Sequence, residues 1–498
     1  MEYSSFFLWI SVTCSCIYVL LLLAKKRSDQ GRLPPGPFPL PIVGSLFKLG
    51  NKPNESLAQL STTYGPLMTL KLGYVTTIVV SSAKIAKEIL QKNDKVLSGR
   101  TVVDAIRALR HHEASMAWLP PNTRWRRLRV LCNTHIFTTQ RLDSSQDLRQ
   151  KKVQELINYI GENCRTGRAV DIGKAAFVTA LNLISNTVFS IDLVDLNSKS
   201  TQEFKDLVSE IMVDVGRPNL GDYFPLIRPI DLEGIRRRVT AKFQKLHTIF
   251  DQLIDQRLRS RSLPDTPRRD DFLDLLLDQS EVSGSELDRH DIKTLFVDIF
   301  VAGSDTSSST LEWAMSELLH NPQAMATARS EIAETIGTEK QVEESDIAGL
   351  PYLQAIVKET LRLHPPVPLL LPRRAESSTE ICGFTIPKHA QVLVNAWAIG
   401  RDMNTWVDPT SFIPGRFLGS EVDFKGRDFE LIPFGAGRRI CPGLPLANRM
   451  VHLMLASLLH SFAWKLPDGM TPQEMDMSDK FGITLQKTVP LCVVPVQG

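Results

Sequence analysis

The stretch "FGAGRRICPG", residues 434–443, limits what this chain can fold into more than any other part of it. One cysteine stands behind a glycine-rich, doubly basic loop and is followed at once by Pro442 and Gly443. Glycines at this density allow the backbone to approach a flat ligand closely. Pro442 suits the first turn of a helix, so Cys441 is expected where a loop meets a helix N-terminus. A helix dipole and free amides lower a thiol's pKa at such a point, and the species expected there is a thiolate. Whether such a thiolate serves as nucleophile, as metal ligand or as neither depends on the rest of the chain.

The other six cysteines do not extend a metal site. They are Cys14, Cys16, Cys132, Cys164, Cys382 and Cys492, scattered, without the paired spacing of a zinc site or a disulfide framework. The 498 residues suffice for a large core, and a net charge of +3 leaves no electrostatic footprint for nucleic acid. Residues 6–24, "FFLWISVTCSCIYVLLLLA", carry no charge and match the thickness of a bilayer; Lys25, Lys26 and Arg27 follow. No basic n-region and no cleavage site accompany the run, so it reads as one uncleaved transmembrane helix. The basic cluster C-terminal to it puts the body of the protein in the cytosol. Five prolines between residues 34 and 41 form a stiff hinge. The expected organisation is therefore a membrane anchor over 1–24, a basic and proline-rich linker over 25–41, and one catalytic body over 42–498.

The body is mainly α with a minor β region. Residues 291–320 keep a helical pattern until Asn321-Pro322, and residues 351–364 open on Pro351 and stop at Pro365. Residues 67–82 read as a hairpin about Gly73, and residues 390–398 as a strand. The centre of the long helix breaks local rules: Gly303, Ser304, Asp305, Thr306 and Ser307 stand where Leu or Ala is favoured. The small residues there leave room for something against the helix. Asp305 and Thr306 put a carboxylate relay and a hydroxyl beside that room, unless the hydroxyls merely bond back to carbonyls.

Three further features are weak singly. Glu359 and Arg362 lie one helical turn apart, with Arg416 of "PGRF" a candidate third member of a buried network. Trp125 and Arg129 share a helix face at i and i+4, which suits a carboxylate ligand. Arg439, Arg373 and Arg100 are each ordinary surface arginines when read alone. Yet Phe434, Gly437, Arg439, Cys441 and Gly443 fill the whole window F-x-x-G-x-R-x-C-x-G, expected on the order of 10⁻⁴ times by chance in a chain this long.

With W-x-x-x-R, A-G-x-D-T, E-x-x-R, "PGRF" and the cysteine loop in order, the chain resembles the cytochrome P450 superfamily of haem-thiolate monooxygenases over essentially its whole length. The resemblance implies the P450 fold and haem b (iron protoporphyrin IX), with Cys441 as axial ligand to the metal. It implies that Phe434 packs near the ligand, that Gly435 and its fellow glycines admit the backbone and supply amide donors to the sulfur, and that Arg439, Trp125, Arg129, Arg373 and Arg100 bind the haem propionates. Thr306 and Asp305 are then the catalytic pair delivering protons to dioxygen, and Gly303 shapes the oxygen pocket. Glu359, Arg362 and Arg416 match the structural triad. Many relatives carry P-E-R-F where this chain has Gly415, which puts the bracing around Arg416 in question.

The activity implied is hydroxylation of a hydrophobic small molecule with O₂. Its electrons come from NADPH through NADPH-cytochrome P450 reductase, which would dock on a basic face carrying Arg126, Arg127 and Arg438. Substrate walls are expected from 102–119, 296–302, 367–371 and 481–485, all largely apolar. The branch resembled most is that of plant microsomal terpenoid oxidases. This implies an endoplasmic reticulum membrane location, single-pass with a cytosolic catalytic domain, and a geraniol-like monoterpenol substrate. Alternatives are a diterpenoid or phenolic substrate, a reductase-independent haem isomerase or dehydratase, and a non-catalytic haem binder.

Overall fold

Strand-forming residues on either side of Gly73 build the hairpin expected there. The computed structural model describes Thr13 and residues 32–196, 198–263, 267–282 and 287–497. Strands β1 (Leu67–Leu72) and β2 (Val75–Val80) pair antiparallel from Leu67↔Val80 to Leu72↔Val75, and Gly73 turns the chain at φ +55°. Three more strands complete a five-stranded sheet: β3 (Gly99–Arg100), β4 (Arg373–Arg374) and β5 (Gln391–Val394), in the order β1-β2-β5-β4-β3. Only β2 and β5 run parallel. The register sets Arg100 opposite Arg373 across β3 and β4. The strand expected over 390–398 ends early, because the Asn395 side chain accepts the Ala398 amide at 3.0 Å and starts a helical turn, Ala396–Ile399.

Six helices place the site: α1 (Thr123–His135), α2 (Ile172–Phe189), α3 (Lys199–Gly216), α4 (Arg289–His320), α5 (Pro351–Leu363) and α6 (Leu444–Ser461). The start of α4 is fixed by a capping box, Asp288 with Asp291, and its end by Asn321 before Pro322. It is buried on nearly every face, many polar side chains included, and lies against α2. Gly303 permits that approach, since a Cβ there would stand 2.6 Å from Ile184 Cδ1. The room left by the small residues is thus filled on one side by the neighbouring helix.

Among the described residues α2 is the one helix long and apolar enough to cross a membrane, but it is mostly buried in the protein. The anchor expected over 6–24 lies outside the described residues, Thr13 excepted. The proline segment does not stand off as a free spacer. Thr69 N donates to Pro35 O at 2.8 Å, and Gly44 bridges to Leu72, so the segment is docked along β1.

Candidate active site

The cysteine loop is held from both ends. Cys441 N donates to Phe434 O at 3.0 Å, and Gly437 adopts φ +69° with a virtual Cβ only 2.0 Å from Leu90 O, so no other residue fits there. Helix α6 begins at Leu444, with Gly443 as N-cap and Pro445 in its first turn. Pro442 therefore precedes the helix instead of opening it, because the residue after Pro442 is the cap. The expected lowering of the thiol's pKa is also overturned in the protein alone: burial pushes the Cys441 thiol up. The Gly443 and Leu444 amides and Arg129 oppose that rise without cancelling it. The amides are the helix-terminus donors expected; the cost of burying a thiolate outweighs them.

Cys441 is half-buried at one end of a cavity of about 310 Å³. Four guanidinium groups converge beside it. Arg439 donates from Nε to Ser98 O at 3.0 Å and from Nη2 to Leu119 O at 2.6 Å, and its Cζ stacks 4.4 Å from the Trp125 ring centre. Arg129 Nη1 reaches Ile440 O at 2.8 Å, while Arg100 bonds Ala117 O and Leu371 O. Arg373 alone of the four is paired with a carboxylate among the described residues, Asp94 at 2.7 Å. Burial, then Arg373 and Arg129, pull Arg439 down to about 9, and burial, then Arg439, Arg373 and Arg129, hold Arg100 well below its ordinary value. Arg439 Nη1 is buried without a partner. A cluster that repels itself and keeps an orphaned donor fits a ligand with two carboxylates, and a flat one fits between this cluster, Phe434 and the loop glycines.

Trp125, Arg129, Arg100, Arg373, Arg439, Phe434, Gly435, Gly303, Thr306 and Cys441 all line this one cavity. The four expected substrate walls do too, through residues such as Met116, Ile299, Leu370 and Ile483. Ile184 and Val188 of α2 and Met212 of α3 also line it and were not foreseen, since nothing local distinguishes them from core residues. Asp298 was not singled out either. Its signal was available: one charge inside the apolar run "FVDIF", on the helical stripe of Ala302 and Thr306.

Thr306 and Asp305 part company. The Thr306 hydroxyl donates to Ala302 O at 2.6 Å and lines the cavity, whereas the Asp305 carboxylate turns away and accepts from Gln486 Nε2 at 2.7 Å. Consecutive helical residues point about 100° apart, so the pair cannot share one face. Burial raises Asp305 to about 6, partly offset by hydrogen bonds that include Gln486. An acid raised on folding costs nothing below its unfolded value; the cost grows as pH rises toward 6 and is complete above it. That cost is about 3 kcal/mol at neutral pH. Asp305→Asn, which keeps the Gln486 contact, is expected to melt above the parent at pH 8, the gap closing as pH falls toward 4. Melting curves by circular dichroism across that range check it; a gap independent of pH would contradict it.

The triad is complete. Glu359 Oε1 accepts from Arg416 Nε at 3.0 Å, Arg362 Nη2 at 2.8 Å and the Ile413 amide at 2.8 Å, and Oε2 accepts from Arg362 Nε at 2.7 Å. Arg416 also donates to Val407 O and Asp408 O. A Cβ on Gly415 would meet nothing within 4 Å, so the missing glutamate removes no brace. The doubt raised by the sequence is resolved by a side chain that would have pointed outward.

The cytochrome P450 family model matches residues 34–492. The chain is 56% identical to geraniol 8-hydroxylase of Swertia mussotii, over 96% of each chain. It is 53% identical to geraniol 8-hydroxylase of Catharanthus roseus over 99% of each, and 46% identical to ferruginol synthase of Isodon rubescens over 98% and 99%. The family's cofactor is haem b, the flat dicarboxylate that the arginine cluster and cysteine loop fit. The chain belongs to the cytochrome P450 family and is a monooxygenase, an oxidoreductase of the haem-thiolate kind.

Proposed function

We propose that the protein hydroxylates a monoterpenol of the geraniol type. When bound, haem supplies the reductive activation of dioxygen that leaves one oxygen atom in a substrate C–H bond and the other in water. Cys441 would hold the iron, and the Gly443 and Leu444 amides would stabilise the charge on its sulfur. Arg439, Arg129, Arg373 and Arg100, with Trp125, would hold and neutralise the propionates. Phe434 and Gly435 would pack against the ring, and Gly303 would narrow the cavity where α4 borders it. Thr306 presents its hydroxyl to the cavity as the last proton donor. Asp305, which burial pushes up to about 6, is the reservoir from which protons are passed on.

The observation that carries the reading is the cavity: apolar walls from four separate segments end on one cysteine ringed by arginines. The identity with two geraniol 8-hydroxylases supports the substrate class. Electrons come from NADPH through NADPH-cytochrome P450 reductase, docked where Arg126, Arg127 and Arg438 are exposed beside the cysteine loop. The protein is held on the endoplasmic reticulum by an anchor over 1–24 and a linker over 25–41, with the catalytic domain over 42–498 in the cytosol. Two exposed apolar groups favour that attitude: Phe38, Ile42 and Phe47 in one, Leu226, Ile230 and Leu232 in the other. Both segments are tied to the β1–β2 turn, through Gly73 N to Val43 O and Tyr74 N to Tyr223 O.

Yeast membranes carrying the protein and a reductase, fed a terpene and phenolic panel with NADPH, are expected to convert geraniol to a mass-shifted hydroxylated product. Geraniol left untouched while a diterpene is oxidised would move the substrate to the diterpenoid class. Turnover without reductase would overturn the electron route.

A further inference from the structure

We infer that Asp298 is the substrate's polar anchor: its carboxylate accepts a hydrogen bond from the hydroxyl of a terminal alcohol and so sets which end of the molecule lies beside Thr306. The inference rests on the monoterpenol reading above. Asp298 is the only carboxylate lining the cavity among the described residues, and its side chain is 8% exposed. A charge in so apolar a wall is costly unless it is held, and it is held by donors from a different segment. Ser115 Oγ stands 2.8 Å from both carboxylate oxygens, His111 Nε2 stands 3.0 Å from Oδ1, and the Ala117 amide stands 3.3 Å from Oδ2. Ser115 has one proton to give, so three donors serve a group with about four acceptor sites. One site is left over at the cavity wall.

Ser115 and His111 both bond Asp298 and not each other, so the trio is no nucleophile relay; it fixes a carboxylate. Asp298, Ala302 and Thr306 follow one stripe of α4 at intervals of four residues, which puts Asp298 about 12 Å along the axis from Thr306. Ala302 keeps the path between them open. Geraniol carries its hydroxyl at one end of the chain and a pair of methyl groups at the other. Anchored at Asp298, it lies along the stripe with those methyls at the Thr306 end. The hydroxyl end is then shielded from oxidation.

The test uses the haem-loaded full-length protein and reads binding from the haem absorbance shift, with no turnover needed. The ligands are geraniol, its methyl ether, which cannot donate a hydrogen bond, and the acyclic hydrocarbon myrcene. In the parent, geraniol is expected to bind about 10-fold more tightly than its ether. In Asp298→Ala the two should bind alike, with myrcene unchanged. Equal affinity for alcohol and ether in the parent, a comparison that needs no variant, would overturn the anchor. So would a parallel loss of all three ligands in the variant. No absorbance shift with any of the three in the parent would instead overturn the monoterpenol reading, and the anchor with it.

Discussion

Cys441→Ala is expected to yield a folded protein that has lost the absorbance signature of a reduced, carbon-monoxide-bound haem thiolate and whose oxidation of substrate falls to background. No other sulfur can stand in. Cys441 is the one cysteine lining the cavity among the described residues, and Cys132 is enclosed in the core, where burial pushes its thiol up to about 12. The fold should survive, because the loop is held by its backbone: the Cys441 amide on Phe434 O, and Gly437 against Leu90. Loss of one arginine is milder. Arg439→Ala leaves Arg129, Arg100 and Arg373 in place and should weaken haem retention by roughly 10–100-fold, the usual effect of removing an outer-shell partner. Haem content per protein and the reduced carbon-monoxide difference spectrum distinguish the two. A Cys441→Ala protein with the parent spectrum would remove the sulfur from the site.

Much of this site was written locally in the sequence. The loop around Cys441, the i, i+4 pair of Trp125 and Arg129, and the i, i+3 pair of Glu359 and Arg362 are each short-range patterns whose geometry follows from helix or turn rules. What was not legible depends on contacts between distant segments. Arg100 and Arg373 meet because two two-residue strands pair, and strands that short have no periodicity to read. Ile184 and Met212 line the cavity only because α2 and α3 pack where they do. The direction of Asp305 could have been derived, since adjacent helical residues diverge, but motif order says nothing about facing. Gly415 shows the converse: a departure from the family pattern looks serious in a string and is harmless where the side chain would meet only solvent.

Glu359→Gln is expected to remove most of the recoverable holoprotein, although position 359 touches neither cavity nor cofactor. Its carboxylate is fully buried and collects four hydrogen bonds, three from two guanidinium groups and one from the Ile413 amide. A carbamoyl group offers one acceptor oxygen and turns an NH₂ toward an arginine, leaving two cations in or near the core without a counter-charge. Breaking a buried pair from one side costs about 3–5 kcal/mol, of the order of a whole domain's margin. The damage should reach the site through chain geometry. Arg362 also ties down Gly400 O, Pro409 O and Ser411 O, and Arg416 ties down Val407 O and Asp408 O, so the network fastens residues 400–416 onto α5. Phe417 at the end of that segment packs on Trp406 in the same core as Phe424, and the Phe424 ring packs at a tilt against Phe434 of the cysteine loop. Gly415→Glu, made beside it, should leave stability within about 0.5 kcal/mol of the parent, since the new side chain enters open space. Urea melts and haem incorporation of the two variants measure the difference. A Glu359→Gln protein as stable as the Gly415→Glu one would show that the network is dispensable for folding.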